Sequence, residues 1–130
     1  MNSLCNQCED SLALYHLLIT LFYLVSKAAG GYQTVPGIYT PDQIESWKRI
    51  VSAVHAKGCF MVMQMWNLGR AATPEQIRGE GEDFISSSNV PMQEDGDAPR
   101  PLTEAELKEH VAAYATASKN FIEVCGGDGG

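Results

Sequence analysis

From Leu17 to Val25 the chain is apolar without alternation, and Gly30-Gly31 follow. That pattern predicts a strand buried on both faces that leads into a loop, read here as Ser26 to Thr40. Thr40 then offers a hydroxyl cap, Pro41 fills the first helical position where its missing N–H costs nothing, and Gln43 completes a capping box. A helix is predicted from there. Ile44, Trp47, Ile50, Val51 and Val54 recur at three- and four-residue spacing on one face, while Glu45, Lys48, Arg49 and Lys57 point elsewhere. Lys57-Gly58 supplies a cation for the helix dipole and a glycine for the left-handed cap. Trp47 is read as packing, and His55 as a surface residue compatible with the helix C-terminus.

Cys59-Phe60-Met61-Val62-Met63-Gln64-Met65-Trp66 is too short for a typical helix and apolar on both faces, as a central parallel strand is. Asn67 to Pro101 is rich in Gly, Pro, Ser, Asp and Glu and reads as one long loop, a length usually tied to function or mobility. Thr103 and Glu106 form a second capping box. Leu107, Val111, Tyr114, Ala117, Phe121 and Ile122 continue a helical stripe through Val124, and the glycine-rich segment from Cys125 stops it.

Strand, helix, strand, helix with short helix-to-strand joints is the rhythm of an α/β fold, a (β/α) barrel or a doubly wound sheet. In the barrel, ligands gather where strands end, which places Gln64, Trp66 and the Asn67–Pro101 loop on the chemical side. The 130-residue length fits one domain at most.

The formal net charge of −7 and the scattered acids argue against nucleic acid and anionic membrane surfaces as partners, since no Lys/Arg cluster exists to displace phosphate counterions. Four cysteines, at 5, 8, 59 and 125, are too few and too uneven for the framework of a small secreted domain, so a reducing cytoplasm is expected. Cys5-Asn6-Gln7-Cys8 lacks a second ligand pair, so no metal is assigned and ordinary thiols are the expectation. The Leu12–Val25 run is shorter than the roughly 20 residues of a membrane span. Ala28-Ala29-Gly30 behind it imitates a cleavage site, which keeps a membrane-associated or secreted protein as an alternative.

Gly30-Gly31-Tyr32-Gln33-Thr34-Val35-Pro36-Gly37-Ile38-Tyr39-Thr40, a helix, and then Gln64-Met65-Trp66-Asn67-Leu68-Gly69-Arg70-Ala71-Ala72 resemble the Old Yellow Enzyme family in order and spacing. Ser86-Ser87-Ser88 and Pro99-Arg100-Pro101-Leu102-Thr103 resemble its next segment, so the likeness runs from about Leu17 to Gly129. The resemblance implies a partial (β/α)8 TIM barrel of about two β/α units over residues 17–130, with residues 1–16 unassigned. It also implies FMN as cofactor, NAD(P)H as reductant and hydride transfer to an activated alkene, a small-molecule substrate. Gln64 matches the glutamine at the flavin's pyrimidine edge, where a primary amide answers both donors and acceptors without adding charge. Trp66 matches the aromatic that walls the substrate pocket. Without the motif, Gln64 would read as a core amide satisfied by backbone, and Trp66 as packing.

Two departures matter. The family strand that resembles Leu17-Leu18-Ile19-Thr20 continues with an acid and a small residue, whereas Leu21-Phe22-Tyr23 stands here. Phe22 is expected to obstruct the flavin ring unless the strand shifts. The histidine after the tryptophan is replaced by Asn67, and His16, His55 and His110 match no family role. The resemblance puts the carbonyl-binding His/Asn pair and the proton-donor tyrosine outside these residues, so no catalytic residue is assigned. A non-catalytic remnant or pseudoenzyme that binds no flavin is the resulting alternative. An open pair of strands is also expected to need cover for its edges, from another chain if not its own.

Overall fold

The computed structural model describes residues 17–126, with side chains described from residue 24 onward. Strand β1 is Leu17–Leu24, helix α1 Pro41–His55, strand β2 Phe60–Trp66, helix α2 Pro74–Gly79, strands β3 and β4 Ile85–Ser86 and Arg100–Pro101, and helix α3 Glu104–Gly126. The alternation expected from the sequence is present. Strands β1 and β2 are parallel, in register from Leu17 opposite Phe60 to Leu24 opposite Trp66, and α1 is the crossover that parallel pairing requires.

Helix α1 begins where its cap lies. The Gln43 backbone N–H donates to Thr40 Oγ1 at 3.3 Å, and Gln43 Oε1 accepts from the backbone N–H groups of Thr40 and Tyr39, both at 3.0 Å. Its apolar face buries Val51 and Val54, with Ile44, Trp47 and Ile50 packed around them. Trp47 is packed as expected, and its indole N–H donates to Gly37 O at 3.0 Å. Val25, Ala29, Ile38, Cys59, Met61, Ala117 and Val124 complete this core. Ile38, Val51 and Val124 are among its fully buried side chains, each contributing about 1.5–3 kcal/mol of transfer free energy.

Helix α3 departs from its expected stripe. Ala117 and Val124 are buried, with Ala113, Tyr114 and Phe121 beside them, but Leu107, Val111 and Ile122 are exposed. The rotation of the helix decides this. Lys48 pairs with Glu123 at 2.7 Å and Asn120 Nδ2 donates to Ile38 O at 2.7 Å, so one flank of α3 is drawn to α1 and its loop. Leu107, Val111 and Ile122 fall on the opposite flank.

The segment expected as one long loop is structured. It holds a 3-10 turn at Gly69–Ala71, helix α2 and the parallel pair β3–β4. Arg100 N donates to Phe84 O at 2.9 Å and Leu102 N to Ser86 O at 2.8 Å, closing the segment on itself. Leu68, Ala72, Ile77 and Phe84 form a second apolar cluster beneath it. Arg100 fastens the closure: it reaches Asp83 at 2.8 Å and Glu106 at 2.7 Å. Local composition hid this, because the bonds that organise the segment join residues distant in sequence.

The strand expected over Leu17–Val25 is present as β1. Residues 17–24 are a strand paired with β2, and no helix among the described residues is long and apolar enough to cross a membrane. Residues 12–16 lie outside the described residues, as do Cys5, Cys8 and His16.

Candidate functional site

Period-two alternation divides β2 into two faces. Met61, Met63 and Met65 pack against the helical side of the core. Phe60, Val62 and Gln64 point the other way and are exposed, Phe60 at 70% and Val62 at 46%. Gln64 is therefore no backbone-satisfied core amide. Among the described residues its side chain has no hydrogen-bond partner, and it stands near the C-terminal end of a parallel strand, where ligands bind in such folds.

The register of β1 shifts beside it. Thr20 is opposite Met63 and Tyr23 opposite Met65, so Leu21 and Phe22 both fall across from Gln64. Phe22, expected to obstruct a flavin unless the strand shifts, lies within this irregular stretch. Bulges of this kind locally twist a strand and re-aim the side chains beyond them.

Trp66, two residues beyond Gln64, is half-buried against the cluster of Leu68, Ala72, Ile77 and Phe84. The Tyr32 ring lies 6.1 Å from it, tilted by 58°. Tyr32 comes from the loop after β1 and is 46% exposed, so the two aromatics form a partly open wall. Tyr32 stood in the sequence motif without a role of its own; an aromatic directly after Gly30-Gly31 was the available signal.

The chain after Trp66 is held from three sides. Leu68 N donates to Ala29 O at 3.2 Å and Thr73 N to Gly31 O at 3.1 Å. Asn67 Oδ1 accepts from Gly69 N at 3.0 Å, and the Asn67 amide nitrogen lies 3.0 Å from Nδ1 of His110 on α3. Asn67 and His110 were not singled out by sequence for any joint role. Gly31 permits the close approach of the two loops: its φ is +126°, and a Cβ there would lie 2.3 Å from Ala72 Cβ.

Two clefts, of about 330 and 310 Å³, share Arg70 in their lining. The first is bounded by Tyr32, Thr73, Phe84 and Met92, the second by Asn67, Ser86, Ser87 and His110. A further cleft of about 400 Å³, lined by Glu82, Asp83, Glu106, Glu109 and His110, holds the strongest electrostatic perturbation. The Arg100 guanidinium, with the Thr103 N–H and hydroxyl, holds the Glu106 carboxyl down at about 2.

For a flavin, the fit is that of one wall. Gln64 offers an uncharged donor and acceptor to a ring edge, and Trp66 with Tyr32 offers aromatic surface at the same strand end.

Comparison with known proteins agrees. Residues 10–129 match the model of the NADH:flavin oxidoreductase / NADH oxidase family, starting ahead of the boundary expected at 17. The chain is 44% identical over 113 residues to "NADP-dependent oxidoreductase lnbE" of Aspergillus flavus, covering 87% of this chain and 30% of that protein. It is 39% identical over 113 residues to "Probable inactive reductase easA" of Epichloe festucae var. lolii, with the same coverage. The crystal structure of Old Yellow Enzyme from Pichia sp. AKU4542 superposes with a TM-score of 0.80 at 36% identity, over 85% of this chain and 31% of that one. The chain thus spans about 30% of the length of these curated relatives. Its two β/α units are a portion of the TIM barrel of such enzymes, and the chain belongs to the NADH:flavin oxidoreductase / NADH oxidase family.

Proposed function

We propose that this chain forms one wall of the FMN site of an NAD(P)H-dependent ene-reductase, with Gln64 at the pyrimidine edge of the flavin and Trp66 lining the substrate pocket. One observation carries the reading. Gln64 is the polar side chain of an otherwise apolar strand, exposed on its open face and without a protein partner among the described residues. FMN, when bound, would supply the redox chemistry of hydride transfer from a reduced nicotinamide to an activated alkene. The chain's own residues bind and orient: Gln64 donates and accepts at the ring edge, and Trp66 and Tyr32 shield one side of the pocket from water. Phe60 and Val62 call for cover by further β/α units, from the same protein or from another chain.

A second reading is a scaffold that has lost flavin chemistry. The register shift of β1 opposite Gln64 favours it, and one relative bears the name of an inactive reductase. Flavin titration separates the two. Under the first reading FMN binds saturably and Gln64→Ala weakens it on the order of tenfold, the worth of one or two hydrogen bonds. A folded chain with no saturable binding selects the scaffold.

A further inference from the structure

The side chain of Asn67 makes two hydrogen bonds, and the first determines the chemistry of the second. Its Oδ1 accepts from the Gly69 N–H, so its amide nitrogen is the group that faces His110 Nδ1, each at 3.0 Å. A flipped amide would set NH2 against the Gly69 N–H, donor against donor. Since an amide NH2 only donates, Nδ1 of His110 has to accept. That requires the neutral ring with its proton on Nε2.

We propose that Asn67 is a positioning residue that clamps the turn after Trp66 to α3 only while His110 is neutral, so that protonation of the imidazole loosens this wall of the site. Leu68 and Thr73 tie the turn to the loop after β1, whereas Asn67 ties it to α3 across 43 residues. Protonation turns Nδ1 into a donor facing a donor, and the amide must rotate or withdraw. Either movement deprives the Gly69 N–H of its acceptor, at a residue already held at φ +51°. The charged groups lining the two clefts beside His110 are Glu106 and Glu109 of α3, Glu82 and Asp83 of the segment after α2, and Arg70 of the turn. Glu82 pairs with Lys27, and Asp83 and Glu106 pair with Arg100.

The clamp is testable without flavin, by following backbone amides and the His110 ring of the chain by NMR from about pH 8 to about pH 5.5. The Gly69 amide and the Trp66 indole are expected to move with the His110 ring. His110→Gln, whose Oε1 accepts without titrating, holds both at their high-pH positions. Asn67→Asp reverses the direction, since its carboxylate accepts from Gly69 and from a protonated imidazole alike. A Gly69 amide that does not titrate in the wild type, or that titrates equally in His110→Gln, overturns the clamp. The consequence for the cofactor rests on the flavin reading: FMN affinity is expected to fall on the order of fivefold over the same range in the wild type and to stay level in His110→Gln. Equal pH profiles in the two proteins would refute the positioning role, while absence of any flavin binding would refute the flavin reading and leave the NMR result standing.

Discussion

Gln64 and Trp66, proposed to meet flavin and substrate, differ from Asn67 and His110, proposed to position the turn, in what sequence reveals about each. A lone amide in an apolar strand and an aromatic two positions later stand out locally, and strand alternation alone puts Gln64 opposite in facing to Met63 and Met65. Asn67 and His110 meet only because α3 folds back over the turn after β2, so nothing near either residue announces the pair. Gly31 is intermediate: its motif is visible, but the reason for a glycine is spatial. Replacing it with alanine forces a side chain into φ +126° and drives Cβ to 2.3 Å from that of Ala72. Gly31→Ala is expected to destabilise the chain by about 2–4 kcal/mol in denaturant unfolding. A loss under about half a kcal/mol would mean that the two loops are not packed as described.

Among the elements, those specified by adjacent residues were the legible ones. The Thr40–Gln43 box, the apolar face of α1 and the apolar run of β2 all depend on neighbours within a turn or two. The segment from Asn67 to Pro101 was opaque for the opposite reason, because β3 and β4 form only when Arg100 returns to Phe84. The exposed flank of α3 was misjudged because a helical stripe has two sides, and the buried one is where Ala117 and Val124 meet the core, with Asn120 and Glu123 pairing beside them. The Thr103–Glu106 box, correctly anticipated, does more than cap α3: Glu106 also holds Arg100 and thereby the closed segment. Its carboxyl titrates at about 2, below the ordinary glutamate range of about 4.3, chiefly because of Arg100. A depressed folded-state value means that the stabilisation is complete above the unfolded-state value and is lost as pH falls towards about 2. Unfolding measured across that window is expected to weaken with acid in the wild type and to flatten in Glu106→Gln.

At the scale of the whole molecule, the described side chains of β2 are packed on the helical side and exposed on the other. Met61, Met63 and Met65 have partners in α1 and α3, while Phe60 and Val62 present apolar surface on the face where Gln64 stands. The same arrangement that offers an amide to a ligand therefore offers a sticky surface to other chains. The chain is expected to self-associate with rising concentration in sedimentation, and Phe60→Ser with Val62→Thr is expected to reduce that while leaving α1 and α3 folded by circular dichroism. Unchanged association in the double variant would place the contact elsewhere, with the exposed Leu107, Val111 and Ile122 as the next surface to alter. Whether the open face holds flavin through Gln64 is read from the Gln64 side-chain NH2 resonances while FMN is added. A saturable shift of those two signals is expected, with the Trp66 indole moving at the same flavin concentrations. Gln64 signals that stay fixed while the chain is folded and FMN is in large excess would contradict a flavin contact at Gln64.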